Sequence, residues 1–167
     1  MTRPSLATIC NRTESLRFEN TPLRLSSLAD YAIVLMSAAA RKCTAAPLNA
    51  TLLAAETGVP LPTAQKLVSR LSAAGLLTSA RGTGGGFRLA RPAAAISLAD
   101  IVEAVEGPIA LTTCVDDHRD HCALDHHCAV KPHWGVVNAA VRSALDSVTL
   151  VHLSQPAQPV LRTKVPA

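Results

Sequence analysis

Residues 61–91 read LPTAQKLVSRLSAAGLLTSARGTGGGFRLAR, and this stretch decides the fold. Leu61, Ala64, Leu67, Val68 and Leu71 recur at helical spacing, Pro60 or Pro62 suits the first turn, and Gly75 stops the run. Opposite that apolar face stand Thr63, Gln65, Lys66, Ser69 and Arg70, residue types that hydrogen-bond base edges and phosphates. LLTSA and FRLAR alternate like strands around RGTGGG, which predicts a β-hairpin with a glycine tip. Gly84, Gly85 and Gly86 permit a backbone approach that side chains would block.

Just upstream, LNATLLAAETGV predicts a short helix started by Asn49 and ended by Gly58. Two short helices joined by a tight turn, then a hairpin bearing Arg81, Arg88 and Arg91, make the pattern of a winged helix-turn-helix. In that arrangement the second helix enters the major groove and the wing follows the backbone. Further out, LRLSSLADYAIVLMSAAARKC predicts a helix capped by Ser26 or Ser27, and ISLADIVEAVEG a helix with a shortened Ser97–Asp100 capping box. PHWGVVNAAVRSALDSVTL predicts a long helix entered through Pro132. With no domain of its own to cover, it is expected to pair with its copy in a homodimer, which also suits a palindromic operator.

The chain has 167 residues, 49% hydrophobic and 17% charged, enough for one core and unlike a disordered chain. No apolar run reaches the roughly 18 residues of a membrane span, and residues 1–22 lack a signal-peptide core, so a cytoplasmic protein with no membrane partner is expected. Charge is divided unevenly. Residues 1–95 hold 11 Lys/Arg against 4 Asp/Glu, residues 96–131 hold 2 against 7, and residues 132–167 hold 3 against 1. The basic first half points to double-stranded DNA. Only four aromatics, Phe18, Tyr31, Phe87 and Trp134, argue against an RNA or single-strand binder built on stacking. No nucleophile–base pair or phosphate-cradling loop is present, so an enzyme is not expected.

Between the last two helices, TTCVDDHRDHCALDHHCAVKPHW gathers three of the five cysteines and five of the six histidines. The C-x7-C-x5-C spacing of Cys114, Cys122 and Cys128 does not match paired zinc knuckles. Cytoplasmic thiols of this kind favour metal or redox chemistry over disulfides. Two readings stand on spacing: an iron–sulfur cluster with a non-cysteine fourth ligand, or Zn on the same cysteines with His121, His126, His127 or His133. Cys43, at a helix end, reads as a small packed residue, and neither it nor Cys10 is a ligand candidate.

The whole pattern, LRLSSLADYAIVLM, LPTAQKLVSRLSAAGLL, RGTGGGFRLARP, ISLADIVEAVEG and three spaced cysteines, resembles the Rrf-two family of winged-helix transcription regulators over residues 23 to about 150. The run VEAVEGPIALTTC…CAL…CAVKPHW is most similar to the branch that regulates the SUF iron–sulfur assembly operon. The resemblance implies cluster thiolates at Cys114, Cys122 and Cys128, 2Fe-2S ahead of 4Fe-4S, and a homodimer built on the C-terminal helix. It also implies sensing of cluster, iron, redox or nitric-oxide status. Lys131 stands where that branch has a histidine ligand. In the nitric-oxide-sensing branch an aspartate from the partner subunit completes the set, and Asp30 stands at the matching place, with His133 and His127 as the other candidates. Family members begin just before Leu25, which makes residues 1–22 an expected leader from an upstream start.

The expected organisation is therefore mainly α with one small hairpin. A leader spans 1–22, a winged helix-turn-helix 23–95, a helix and cysteine-rich cluster loop 96–131, a dimerisation helix 132–153, and a loose tail 154–167. Expected DNA contacts are Thr63 and Gln65 to bases, with Lys66, Ser69, Arg70, Arg81 and Arg88 and the backbone at Gly84 and Gly85 around them.

Overall fold

Helix α1 (Ser27–Arg41) begins where the Ser26 hydroxyl accepts the amide hydrogen of Ala29, so Ser26 is the cap. The computed structural model describes residues 24–42, 48–80, 85–115 and 127–155; the expected leader, Cys10, Cys43 and the tail beyond 155 lie outside them. Ala29, Ala32, Leu35, Met36, Ala38 and Ala39 form the buried side of α1, and the alanines let neighbouring helices approach closely.

Asn49 caps α2 (Ala50–Thr57) by accepting from the amide of Leu52 at 2.7 Å. Gly58 ends it with φ +74°, a left-handed conformation that glycine adopts without strain. After Pro60 the chain enters α3 (Leu61–Ala73), which sends Ala64, Leu67 and Leu71 into the core. Gly75, also at positive φ, then turns it into β1 (Leu77–Ala80). Strand β2 (Gly86–Leu89) returns antiparallel, with Leu77 opposite Leu89 and Thr78 opposite Arg88.

A one-residue bridge adds to this hairpin. Leu48 and Phe87 exchange both backbone hydrogen bonds, at 2.9 and 2.7 Å, which ties the wing to the entrance of α2. Helix α4 (Leu98–Glu106) carries the full capping box: Ser97 Oγ accepts from the Asp100 amide, and Asp100 Oδ2 accepts from the Ser97 amide. Together α1, α2, α3, α4 and the hairpin enclose one core, the mainly α winged helix-turn-helix expected.

The long C-terminal helix differs from expectation. Helix α5 (Lys131–Asp146) stops, and a short α6 (Leu150–Ser154) follows, where one helix had been expected to run through residues 132–150. Two forces break it. The backbone of Ile96–Leu98 needs partners before α4 begins, and it finds them in Val148 and Leu150, at 2.8 Å each, around a Ser97–Thr149 bridge. The β-branched pair Val148–Thr149 favours the extended conformation this needs, and Leu150 is then fully buried. No helix among the described residues is long and apolar enough to cross a membrane.

Leu67 is fully buried where α3 meets the rest of the core. Leu67→Ala should cost about 2–5 kcal/mol in urea unfolding, whereas a loss under about 1 kcal/mol would show that this core is not packed as described.

Candidate nucleic-acid interface and cysteine loop

With Ala64, Leu67 and Leu71 turned inward, α3 leaves Leu61, Pro62, Gln65, Lys66 and Ser69 exposed. At 100° per residue Pro62 and Ser69 run along the middle of the outer face, Gln65 and Lys66 flank it on opposite sides, and Leu61 lies beyond Gln65. Thr63 and Arg70 lie further round and are half-buried. Arg70 was expected at phosphate, but its Nη1 donates to the carbonyl of Val105 at 2.8 Å. That carbonyl belongs to the last turn of α4, where helical carbonyls lack intrahelical partners and a cation is favoured. Arg70 therefore anchors the fold, joining α3 to α4.

On the wing, Arg88 is exposed on β2 and Gly85 is exposed at the tip; Arg81 and Gly84 lie outside the described residues. Arg91 pairs with Asp100 at 3.3 Å, beside the α4 capping box. Gln65, Lys66, Ser69 and Arg88 are thus the expected polar contacts that the described structure leaves open to solvent.

The cysteine segment begins on a 3-10 turn, Thr113–Val115, that carries Cys114 half-buried, its Sγ 3.1 Å from Thr112 Oγ1. Asn138 of α5 holds the irregular segment leading to it. Its Nδ2 donates to the Ile109 carbonyl at 2.7 Å, and its Oδ1 accepts from the Leu111 amide at 3.0 Å. Sequence reasoning missed this clamp, although an asparagine in the middle of an otherwise apolar helical stripe is a readable signal. A cleft of about 640 Å³ opens beside the clamp, where Arg24, Glu106, Ile109, Thr112 and Leu145 meet.

Cys128, also free and half-buried, sits just before α5. His127 and His133 flank it and are exposed. Cys122, His121 and His126 lie outside the described residues, and among the described residues no three His, Cys, Asp or Glu side chains gather into a metal site. The donor chemistry that is described fits a thiolate-held metal group: two free sulfurs, neither in a disulfide, mark the two ends of the segment that contains the third. Asp30 is exposed on the first turn of α1, beside the exposed Tyr31 and Val34, and it turns away from its own core.

Helix α5 has no buried residue. Trp134, Asn138, Val141 and Leu145 form its half-buried inner stripe, while Val136 is 74% exposed and Val137 44% on the outside. Arg142 holds α5 to α4 through a two-pronged pair with Glu103, at 2.9 and 3.0 Å. The hydrogen bond that Arg142 donates to Glu103, reinforced by the carboxylate's charge, raises the Arg142 pKa above its ordinary value.

Residues 25–156 match a family model described as Rrf2, an iron-dependent transcriptional regulator. Among curated relatives, the HTH-type transcriptional regulator IscR of Yersinia pseudotuberculosis is 29% identical over 131 residues, 78% of this chain and 79% of the relative. The IscR of Xenorhabdus nematophila is 30% identical with the same coverage. Among solved structures, CymR, the global cysteine regulator of B. subtilis, superposes with a TM-score of 0.64 at 30% identity, covering 80% of this chain and 97% of that one. T. potens IscR gives 0.60 at 27% identity, covering 81% and 93%.

The clamp makes a local test. Asn138→Ala should speed hydrogen exchange at the Leu111 amide by about tenfold, because the lost bond is worth about 1–1.5 kcal/mol. An unchanged rate would show that Asn138 does not hold this segment.

Proposed function

The chain belongs to the Rrf2 family of transcriptional regulators, and on that premise we propose that it works as a homodimer on duplex DNA under the control of an iron–sulfur cluster on Cys114, Cys122 and Cys128. The observation that carries this reading is the pair of free thiols at the two ends of α5's approach, Cys114 just after the segment that Asn138 fixes to α5 and Cys128 just before α5 begins. When bound, such a group supplies a chemically labile cross-link between three thiolates. Asp30 of the partner subunit is the proposed fourth ligand, supported by the outward exposure of this residue on α1. The expected form is 2Fe-2S, and the proposed targets are iron–sulfur assembly genes of the SUF type.

Homodimerisation is supported by the outer face of α5, where Val136 and Val137 lie among exposed alanines at Ala139, Ala140 and Ala144. A second copy of the same face would cover them. A continuous route then joins the loop to the DNA-reading helix. Asn138 fixes the loop to α5, Arg142 and Glu103 join α5 to α4, and Arg70 joins α4 to α3. A change of conformation at the thiols thereby reaches the angle of α3 in each subunit, and with it the spacing of the two helices on an operator. Gln65 and Thr63 are the proposed base contacts, with Lys66, Ser69, Arg81, Arg88 and the backbone at Gly84 and Gly85 along the phosphates.

Protein purified without oxygen should be coloured and should contain iron and acid-labile sulfide. Stripping the metal should change its affinity for the upstream region of an iron–sulfur assembly operon, and Cys114→Ala should lose both the colour and that dependence. Colourless protein with stoichiometric zinc would replace the cluster by Zn on the same cysteines with His127 or His133. Gln65→Ala should relax base preference at one position by about 1–3 kcal/mol, while Arg88→Ala weakens all sequences alike. Equal losses from both variants on specific and random DNA would overturn those roles.

A further inference from the structure

The leading turn of α3 carries an apolar pair that the polar contact set leaves unexplained. Leu61 is 38% exposed and Pro62 is exposed as well. Both occupy the first turn, the part of a recognition helix that meets base edges. Pro60 caps the helix without a side-chain hydrogen bond, and Pro62 has no amide hydrogen, so this turn offers a phosphate fewer donors than an ordinary helix start. An apolar surface here does nothing for the core, which Ala64, Leu67 and Leu71 already fill. It stands beside the exposed Gln65, Lys66 and Ser69, on the surface that the basic half of the chain would carry to DNA.

In the major groove the apolar group is the C5 methyl of thymine, and the side chains that recognise it are apolar. We infer that Leu61 and Pro62 read thymine methyl groups, so that each half-site carries a thymine within about two base pairs of the base that Gln65 contacts. Leu61 and Gln65 are four residues apart on one side of α3, which sets their Cβ atoms about 5–6 Å apart. Against a rise of 3.4 Å per base along a strand, the thymine lies within about two base pairs of the Gln65 contact. This specificity rests on the duplex-DNA reading proposed above.

The test uses the full-length protein and an operator chosen by it from random duplexes. Each thymine is then replaced singly by deoxyuridine, which pairs identically but lacks the methyl. At one or two positions per half-site, deoxyuridine should weaken wild-type binding about fourfold, the worth of one buried carbon. Leu61→Ser or Pro62→Ser should bind thymine and deoxyuridine there equally. Selection of an operator with every deoxyuridine position silent overturns the methyl reading alone, and so does a loss that persists unchanged in both variants. A protein that selects no duplex removes the DNA reading itself and this inference with it.

Discussion

The fold depends on how closely other helices approach α1. Ala29, Ala32, Ala38 and Ala39 have almost no exposed surface, and α2, α3, α4 and α6 all pack on this helix. A protein interior packed to this density leaves no room for added methylenes, so larger residues at these positions would push the surrounding helices outward. Because α3 and α4 share this support, their relative placement is set by α1 before any polar contact is made. Leu35 and Met36 then supply the bulk that the alanines lack, filling the space toward the rest of the core.

Polar contacts refine that placement and converge on α4. Its Val105 carbonyl takes Arg70 of α3, its Glu103 takes Arg142 of α5, and its Glu106 accepts from the backbone amide of Ser26 ahead of α1. The Glu103–Arg142 pair is solvent-exposed and adds little stability, so its importance lies in fixing position. Helix α4 is thus the common neighbour of α3 and of α5, which carries the Asn138 clamp. The segment leading to Cys114 and the outer face of α3 share one support, although they come from opposite sides of α4 in the sequence.

Local chemistry made most of this architecture readable. The caps at Ser26, Asn49 and Ser97, the stop at Gly58 and the apolar spacing of Ala64, Leu67 and Leu71 are decided within a few residues, and all are seen in the structure. Features set by distant partners were not readable. Leu48 meets Phe87 across 39 positions of chain, and no periodicity exists in a single bridging residue. The end of α5 depends on backbone groups at residues 96–98, and the inward turn of Arg70 depends on an unpaired carbonyl at the end of α4. A cation opposite an apolar helix face looks the same in sequence whether it faces phosphate or a neighbouring helix. In the cysteine segment the residue types signalled thiolate chemistry, but the asparagine that holds its approach stood unnoticed on another element.

The interruption after Asp146 gives α5 mechanical properties that an unbroken helix would lack. Midway along it Asn138 grips the approach to Cys114, one turn on Arg142 binds Glu103, and past its end the chain folds back through Thr149 onto Ser97 and buries Leu150 in the core. A rod gripped at its midpoint and pinned beyond its far end resists swinging like a lever, and the off-axis grips of Asn138 and Arg142 resist rolling as well. A rod so fixed presents its outward valines, Val136 and Val137, at a constant angle to the rest of the fold.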